Sequence, residues 1–200
     1  EVPADISSAA CFLVAATIVP GSEVVLDRIG INPTRTGILT ILRRMGADIS
    51  VTPQSTDGEP TGRLTVRSAE LMGTDVGGAE IPLAIDELPL IALAACFAEG
   101  TTVIADAEEL KRKESDRIAV VVDSLRSLGA EIEATGDGMV IEGTGGLRGG
   151  TIASHGDHRI AMLGAVAGIA SEKGVSVFDM DAASVSYPTF KSDLSALLRT

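Results

Sequence analysis

The same series of structural signals occurs three times along this chain. Each copy opens with an aspartate (Asp5, Asp86 or Asp157), continues with an Ala/Leu-rich helical segment, and then has a short β-branched strand and a second helix. In the first two copies that second helix ends in matching signals, "RMGADI" and "SLGAEI", with glycine at the C-cap position. A unit of this size cannot bury its own hydrophobic faces, so the copies must pack around a shared core.

A hairpin follows the second helix in the first two copies. "ADISVTP" and "GRLTVRS" flank one polar turn, and "AEIEATGD" and "GMVIEGT" flank another at Asp137 and Gly138, a strong turn pair. A short strand is also predicted before the first helix, at "AEIPLAI" in the second copy and "GTIAS" in the third. The unit is therefore βαβαββ, and the third copy ends after its second helix. We predict a single domain over residues 1–200, with repeats at about 1–70, 79–144 and 150–200.

The first helix of each unit is predicted to lie inside the domain. Segments such as "LPLIALAACFA" and "IAMLGAVAGIA" are apolar nearly all round, as buried helices are. Aromatic residues make up only 2% of the chain and Trp is absent, so Ala, Val, Ile and Leu must fill the core. The predicted fold class is α/β, with three βαβαββ repeats packed around buried helices.

Charge and cysteine content exclude several classes of function. The formal net charge is −12, which argues against binding to nucleic acid or to an acidic membrane surface, and no stretch is long enough to cross a bilayer. An anionic ligand would need a local cluster of cations. Cys11 and Cys96 lie in apolar runs with no cation or His beside them. They are interpreted as buried thiols of a cytoplasmic protein, with a disulfide or a nucleophile as the disfavoured alternatives.

The most concentrated charge in the chain is "LKRKESDRI", which immediately precedes an apolar helical pattern. The N–H groups and dipole of a helix N-terminus favour an anion. Lys113 and Arg117 are four residues apart, so on a helix they would share a face, and a bound anion would relieve their repulsion. Glu114 lies between them and could be held in one protonation state. The alternative is a solvated helix start with an Arg112–Asp116 ion pair.

The second charged motif is "HGDHRIAM", which holds both histidines of the chain. His155 and His158 are three residues apart, and no third metal ligand is evident, so a metal site is disfavoured. Asp157 could cap a helix while His158 and Arg159 face a cleft, where the planar guanidinium would suit a carboxylate or phosphate. The simpler alternative is a capping Asp with a surface Arg.

The third motif, "AIDELP", places Asp86 at the start of the inner helix of the second repeat. Pro89 falls in the first helical turn, where proline is allowed. Asp86 is therefore predicted to be an N-cap residue. Because it belongs to the same repeat as the "KESDR" segment, it could also serve as a base.

With these three motifs on a triple repeat, the chain resembles the C-terminal half of the 5-enolpyruvylshikimate-3-phosphate (EPSP) synthases, or 3-phosphoshikimate 1-carboxyvinyltransferases, from "DISSAA" to "SYPTF". The resemblance implies one domain of the enolpyruvyl transferase fold, an inside-out α/β barrel, whose partner N-terminal domain is absent. It implies transfer of the enolpyruvyl group of phosphoenolpyruvate to the 5-hydroxyl of shikimate 3-phosphate, with release of phosphate, in the shikimate pathway. No cofactor and no metal are implied.

The resemblance also assigns catalytic roles. Asp86 matches the family's carboxylate that contacts the shikimate ring hydroxyls and accepts a proton. Glu114 matches the acid that gives and takes the proton at the methylene carbon, and Lys113 matches the lysine that contacts both substrates. Asp86 and Lys113 would therefore bind shikimate 3-phosphate.

Phosphoenolpyruvate would be bound by a second set of matching residues. Arg117 and Arg159 match the arginines that clamp it, Lys113 also contacts it, and His158 matches a histidine that assists by hydrogen bonding. Cations in such positions hold a trianion and stabilise developing charge.

Two positions depart from the pattern of the family. Some relatives have a lysine where this chain has Val185, and Lys191 lies beyond that point, so a third phosphate contact is not expected. Some relatives have an asparagine that faces the shikimate phosphate where this chain has Glu109. A carboxylate there would repel an anion, so we expect Glu109 to point away from the site.

Alone, the chain is expected to be catalytically inert and to bind phosphoenolpyruvate weakly. Two other functions are compatible with the sequence. One is a non-catalytic anion-binding or assembly module. The other is half of an enolpyruvyl transferase acting on UDP-N-acetylglucosamine, which shares the fold but is not expected to carry both charged motifs.

Overall fold

The computed structural model describes residues 2–56 and 58–198. The helices in these ranges are α1 Ile6–Ile18, α2 Gly37–Arg44, α3 Ile81–Ala84, α4 Leu88–Cys96, α5 Arg117–Ser127, α6 His158–Ala170 and α7 Phe190–Leu197. The strands are β1 Glu23–Gly30, β2 Asp48–Ser55, β3 Thr61–Arg67, β4 Leu71–Met72, β5 Asp75–Val76, β6 Ala98–Ile104, β7 Glu131–Ala134, β8 Met139–Thr144, β9 Gly150–Ala153 and β10 Val175–Phe178. Short 3₁₀ turns lie at Gly78–Glu80, Glu108–Arg112 and Met180–Val185.

The strands form three separate sheets in the described part of the chain, and each sheet corresponds to one unit of the repeat. The first has the order β1-β3-β2 and is antiparallel. The second has the order β4-β6-β8-β7, with β4 and β5 parallel to β6 and the other pairs antiparallel. The third is the parallel pair β10-β9. Both predicted hairpins, β2–β3 and β7–β8, are confirmed.

Three helices occupy the interior. The helices α1, α4 and α6 pack against one another, and every residue of α4 is buried. Aspartate caps explain where two of them begin. Asp5 accepts a hydrogen bond from the Ser8 backbone N–H (3.1 Å), and Asp157, as predicted, accepts one from the Arg159 backbone N–H (2.9 Å). With helices inside and sheets outside, the α/β class and the inside-out arrangement are confirmed.

The strand predicted at "AEIPLAI" is wrong. The strands that open the second unit are β4 and β5, and the segment from 78 to 84 is helical instead. Ile81 and Ala84 are both buried while Leu83 is exposed, which is the spacing of a helix rather than a strand. Pro82 occupies the first turn of α3, where its missing N–H is not needed.

The predicted glycines follow both helices, one residue beyond the C-cap position, which is Met45 in α2 and Leu128 in α5. Gly46 and Gly129 each have φ of +103°, a left-handed conformation that residues with a side chain adopt only with strain. Each glycine turns the chain from an outer helix into the following hairpin. The two outer helices α2 and α5 therefore end in the same way.

Both cysteines are buried free thiols, as predicted. Burial raises the pKa of each thiol to about 12, so neither is ionised near neutral pH and neither can act as a nucleophile there. Among the described residues, no helix combines the length and the apolar character needed to span a bilayer.

Candidate active site

The centre of the site is Arg117, the first residue of α5. Asp116 caps this helix by accepting a hydrogen bond from the Ala119 backbone N–H (3.1 Å). The side chain of Arg117 is only 1% exposed and pairs with Asp157, which is itself fully buried at the start of α6. Its Nε lies 2.8 Å from Asp157 Oδ2 and its Nη2 lies 3.2 Å from Asp157 Oδ1. This two-pronged contact joins the N-termini of α5 and α6, and it excludes the alternative of a solvated helix start.

Each member of this pair keeps the other ionised. Burial alone would lower the pKa of Arg117, but its hydrogen bonds with Asp157 and the charge of that carboxylate leave the pKa above its ordinary value. Burial would likewise raise the pKa of Asp157, but the hydrogen bonds and charge of Arg117 hold it below its ordinary value. Ser115 adds a further hydrogen bond to Asp157 (3.0 Å). The site is therefore built on a fixed ion pair.

Asp86 lies among three cations. Its Oδ1 is 3.2 Å from Nη1 of Arg117 and 3.7 Å from Nζ of Lys113, and its Oδ2 is 3.9 Å from Nη2 of Arg159. The prediction that Asp86 caps the inner helix is wrong. Helix α4 begins at Leu88, so Glu87 and not Asp86 is in the N-cap position, and the Glu87 side chain makes no capping hydrogen bond. The carboxylate of Asp86 is drawn to the cations instead, and it remains 37% exposed.

Glu114 reaches into the same group. Its carboxylate accepts a hydrogen bond from Nη2 of Arg117 (2.5 Å), and half of its side chain is exposed. A carboxyl group that is both anchored to a buried cation and open to solvent is suited to exchange protons with a ligand.

Lys113 lies in extended backbone before α5, so it does not share a helical face with Arg117 as predicted. The two cations meet instead through Asp86. Glu109 is a second correction: its carboxylate is 3.2 Å from Nζ of Lys113 and does not point away from the site. The intervening 3₁₀ turn, Glu108–Arg112, brings this exposed acid to the lysine four residues later.

Arg159 and His158 form the first turn of α6. Nη1 of Arg159 donates a hydrogen bond to the backbone oxygen of Ser7 (3.2 Å), and its side chain is only 13% exposed. Burial and the charge of Arg159 lower the pKa of His158, so its imidazole is neutral near pH 7. His155 lies in an exposed turn with φ of +53°. Within residues 2–56 and 58–198, no group of His, Cys, Asp or Glu side chains could hold a metal ion.

The remaining departures from the family lie at the third repeat. Val185 is 79% exposed. Lys191 pairs with Asp181 at 2.5 Å, and both side chains are exposed. The structure therefore gives Lys191 a partner within its own repeat.

Sequence reasoning missed the contributions of three residues. Asp157 was interpreted only as a cap, although it is also the main partner of Arg117. Ser7 and Glu87 were not singled out, although the backbone of Ser7 fixes Arg159 and Glu87 is a buried acid. No spacing in the sequence signals these contacts, because they join different repeats.

Together these residues define a class of protein: an α/β repeat domain in which cations and acids gather near the first turns of its helices. Three cations (Lys113, Arg117 and Arg159) and four acids (Asp86, Glu109, Glu114 and Asp157) belong to the site.

Comparison with known proteins narrows this class. The sequence model of the family EPSP synthase (3-phosphoshikimate 1-carboxyvinyltransferase) matches residues 1–194. The 3-phosphoshikimate 1-carboxyvinyltransferase of Leuconostoc citreum is 55% identical over 99% of this chain and 47% of its own length. That of Geobacter sulfurreducens is also 55% identical, over 94% of this chain and 44% of its own. The chain therefore belongs to the EPSP synthase family.

Comparison with solved structures gives the same family and the same fold. An EPSP synthase from Acinetobacter baumannii superposes with a TM-score of 0.94 at 43% identity, covering 98% of this chain and 46% of that one. The enolpyruvyl transferase NikO from Streptomyces tendae has a TM-score of 0.76 at 17% identity, which shows a shared fold. The chain thus spans about half the length of the relatives it matches.

Proposed function

We propose that this chain supplies one wall of the active site of an EPSP synthase, which transfers the enolpyruvyl group of phosphoenolpyruvate to the 5-hydroxyl of shikimate 3-phosphate and releases phosphate. The observation that carries the proposal is the gathering of Lys113, Arg117 and Arg159 around Asp86. Three cations in or just before the first turns of helices suit substrates with phosphate and carboxylate groups. The family match supports the same reaction.

The proposed roles follow from exposure and contact. Asp86, partly exposed among the cations, contacts the shikimate ring and accepts the proton of the attacking hydroxyl. Glu114, half exposed, protonates the methylene carbon. Lys113 contacts both substrates, and its flexible ammonium can move from Asp86 to a phosphate.

Arg117 and Arg159 are proposed to hold phosphoenolpyruvate, with His158 assisting. Arg117 is almost fully buried, so it offers the substrate an edge whose direction is fixed by Asp157. His158, neutral because its pKa is lowered, can donate or accept a hydrogen bond. No cofactor or metal is proposed for the chemistry.

The second wall of the site would come from an N-terminal half like that of the longer relatives, in a cytoplasmic enzyme. The proposal is tested by producing this chain together with residues of the Leuconostoc citreum relative that precede its matching region. Phosphate release from phosphoenolpyruvate, dependent on shikimate 3-phosphate, is expected from the pair and not from this chain alone. A correctly assembled pair without turnover would contradict the proposed function and would favour a non-catalytic anion-binding module instead.

Variants of the pair test the site itself. Glu114→Gln removes the proton donor, so kcat should fall roughly 10²–10⁴-fold, the usual contribution of a positioned acid. Lys113→Met should abolish most activity because it removes a contact to both substrates. Lys111→Met is the matched control, since Lys111 is exposed and bonds the Gly136 backbone oxygen outside the cluster. Full activity in Glu114→Gln and Lys113→Met would show that the roles are assigned wrongly.

A further inference from the structure

The first turn of helix α1 lies beside the candidate site and supplies one of its contacts. In the described part of the chain, the guanidinium of Arg159 makes one hydrogen bond, which its Nη1 donates to the backbone oxygen of Ser7 (3.2 Å). Within those residues its Nε has no partner, and its Nη2 is 3.9 Å from Asp86 Oδ2, beyond hydrogen-bond distance. The direction in which Arg159 points therefore depends on where the Ser7 carbonyl lies.

Arg35, from the loop before α2, clamps this first turn. Its Nη2 donates to the hydroxyl of Ser7 (3.0 Å) and to Oδ1 of Asp5 (3.0 Å). Asp5 is the N-cap of α1, and its Oδ2 accepts a hydrogen bond from the Ser8 backbone N–H (3.1 Å). A single guanidinium nitrogen thus joins the cap of the helix to the residue that holds Arg159. Because helix ends fray readily, such a clamp limits how far the Ser7 carbonyl can move.

The loop that carries Arg35 is itself held by side-chain contacts. Oδ1 of Asn32 accepts hydrogen bonds from the backbone N–H (3.1 Å) and the hydroxyl (2.8 Å) of Thr34, and the Asn32 backbone oxygen accepts one from the Arg35 N–H (2.9 Å). Nδ2 of Asn32 donates to Oε1 of Glu59 (2.8 Å). These contacts define a compact turn. Arg35 therefore reaches α1 from a fixed base, although 57% of its side chain is exposed.

Arg35 also lies close to the residues proposed for the chemistry. Ser7, Arg35 and Asp86 line one small cavity of about 120 Å³. A guanidinium in this place could contact a substrate itself, or it could act through Ser7 and Arg159. The contacts favour the second role, because both hydrogens of Nη2 are engaged within the protein and the charge of Arg35 is already paired with Asp5.

We propose that Arg35 is a positioning residue for phosphoenolpyruvate: it fixes the first turn of α1, so that the Ser7 carbonyl aims the guanidinium of Arg159 at the anion. Arg35 touches no substrate in this role. Small displacements of a binding group matter, because a misplacement of about 1 Å can cost about 10²-fold in rate. The kinetic consequence rests on the proposed function, whereas the clamp on Arg159 does not.

Two matched substitutions isolate the clamp. Arg35→Met removes both contacts with α1 and keeps a long, unbranched side chain. Arg67→Met is the control, because Arg67 forms an ion pair of similar exposure with Glu23, across two strands of the first sheet and outside the candidate site. Both variants lose one positive charge, so a difference between them does not reflect net charge.

The first experiment measures the mobility of Arg159 in this chain by ¹⁵N NMR relaxation, with Arg159→Lys used to assign the Nε–H signal. The order parameter of that bond should be about 0.85, the value of a rigid group, in the wild type and in Arg67→Met, and should fall below about 0.6 in Arg35→Met. An unchanged order parameter in Arg35→Met, or a low value already in the wild type, would overturn the proposal. Neither result depends on catalysis.

The second experiment measures kinetics in the two-part enzyme described above. Arg35→Met should raise the KM for phosphoenolpyruvate about three- to tenfold, the effect of losing one orienting hydrogen bond, and should leave the KM for shikimate 3-phosphate unchanged. Arg67→Met should change neither value. In an Arg159→Lys background, Arg35→Met should have no further effect, because the effects of residues that act through one another do not add.

Equal losses in both backgrounds would show that Arg35 contacts the substrate itself or acts elsewhere, and would refute the positioning role. An inactive wild-type pair would instead count against the proposed function, and the relaxation measurement would still decide on the clamp.

Discussion

At the scale of single residues, the ion pair between Arg117 and Asp157 determines how the site is held. Both side chains are excluded from water, at 1% and 0% exposure. A buried charge that loses its partner has neither water nor a counter-ion to stabilise it, so such pairs are sensitive to the removal of one member. The pair therefore fixes the first turns of α5 and α6 relative to each other.

The first prediction concerns this pair. Asp157→Asn keeps a residue that can cap α6 but removes the charge opposite Arg117, so it should lower the free energy of unfolding by about 3–5 kcal/mol. Urea denaturation followed by circular dichroism measures this. The matched control is Asp5→Asn, which changes another helix cap whose ion pair with Arg35 is about half exposed. That change should cost less than about 1 kcal/mol, and equal losses in both variants would contradict the argument.

The same pair predicts a dependence of stability on pH. The pKa of Asp157 is lowered in the folded state, so the folded state binds fewer protons than the unfolded state in acid. Its contribution is fully present above the ordinary Asp pKa of about 3.9 and is lost as the pH falls through the lowered value. Below about pH 4 the unfolding free energy of the wild type should therefore fall more steeply than that of Asp157→Asn. Parallel curves in that range would show that another group is responsible.

Residue-level prediction from sequence was good where one local motif carries the signal. The helix that follows the "KESDR" segment and the cap Asp157 were predicted from local patterns. The position of Asp86 was not, because contacts with Lys113 and Arg159 from other segments outweigh its tendency to cap. Glu109 was misplaced for a local reason: the 3₁₀ turn Glu108–Arg112 brings it to Lys113, four residues later.

At the scale of secondary structure elements, the turn of the β7–β8 hairpin shows why a glycine can be required without a positive φ. Asp137 and Gly138 were predicted as a turn pair, and they do lie between the strands. Neither residue has a positive φ, however. A Cβ on Gly138 would fall well inside contact distance of the Ile104 backbone oxygen at the end of β6. Here glycine permits a close approach of two strands.

The third prediction follows from that approach. Gly138→Ala should displace β8 from β6 and destabilise the protein by about 1–3 kcal/mol, as overpacking does. Gly136→Ala is the matched control, because Gly136 lies in the same turn and a Cβ there meets nothing within 4 Å. The control should leave the melting temperature nearly unchanged. A similar loss in both variants would mean that backbone freedom, and not the contact with Ile104, is what matters.

Most of the elements were accessible from periodicity and turn signals, since strands and helices of the repeat follow local rules. The exception, the segment from 78 to 84, is short and apolar, and short apolar runs do not distinguish strand from helix. Packing decides this case: the main chain of Leu83 would contact a Cβ on Gly37 at 2.7 Å, so α3 lies closely against the start of α2.

At the scale of the whole molecule, an acidic chain has to attract anionic substrates. The net charge is −12, and acids outnumber cations within the site as well. Without substrate, the carboxylates form ion pairs with the cations that a substrate would need. Anion binding therefore includes the displacement of carboxylates, and the acid that is most exposed and least anchored should be displaced most easily. Lys113 pairs with Asp86 and Glu109, and Glu109 is the more exposed of the two, at 70% against 37%.

The last prediction tests this competition. Glu109→Gln removes a carboxylate 3.2 Å from Nζ of Lys113, so the affinity of the two-part enzyme for shikimate 3-phosphate should rise roughly two- to fivefold, as the loss of one exposed ion pair would allow. Glu108→Gln is the matched control: it removes the same charge from the neighbouring exposed position of the same turn. Isothermal titration at low and high salt measures both. A gain confined to Glu109→Gln and reduced by salt supports local competition, whereas equal gains in the two variants would assign the effect to net charge.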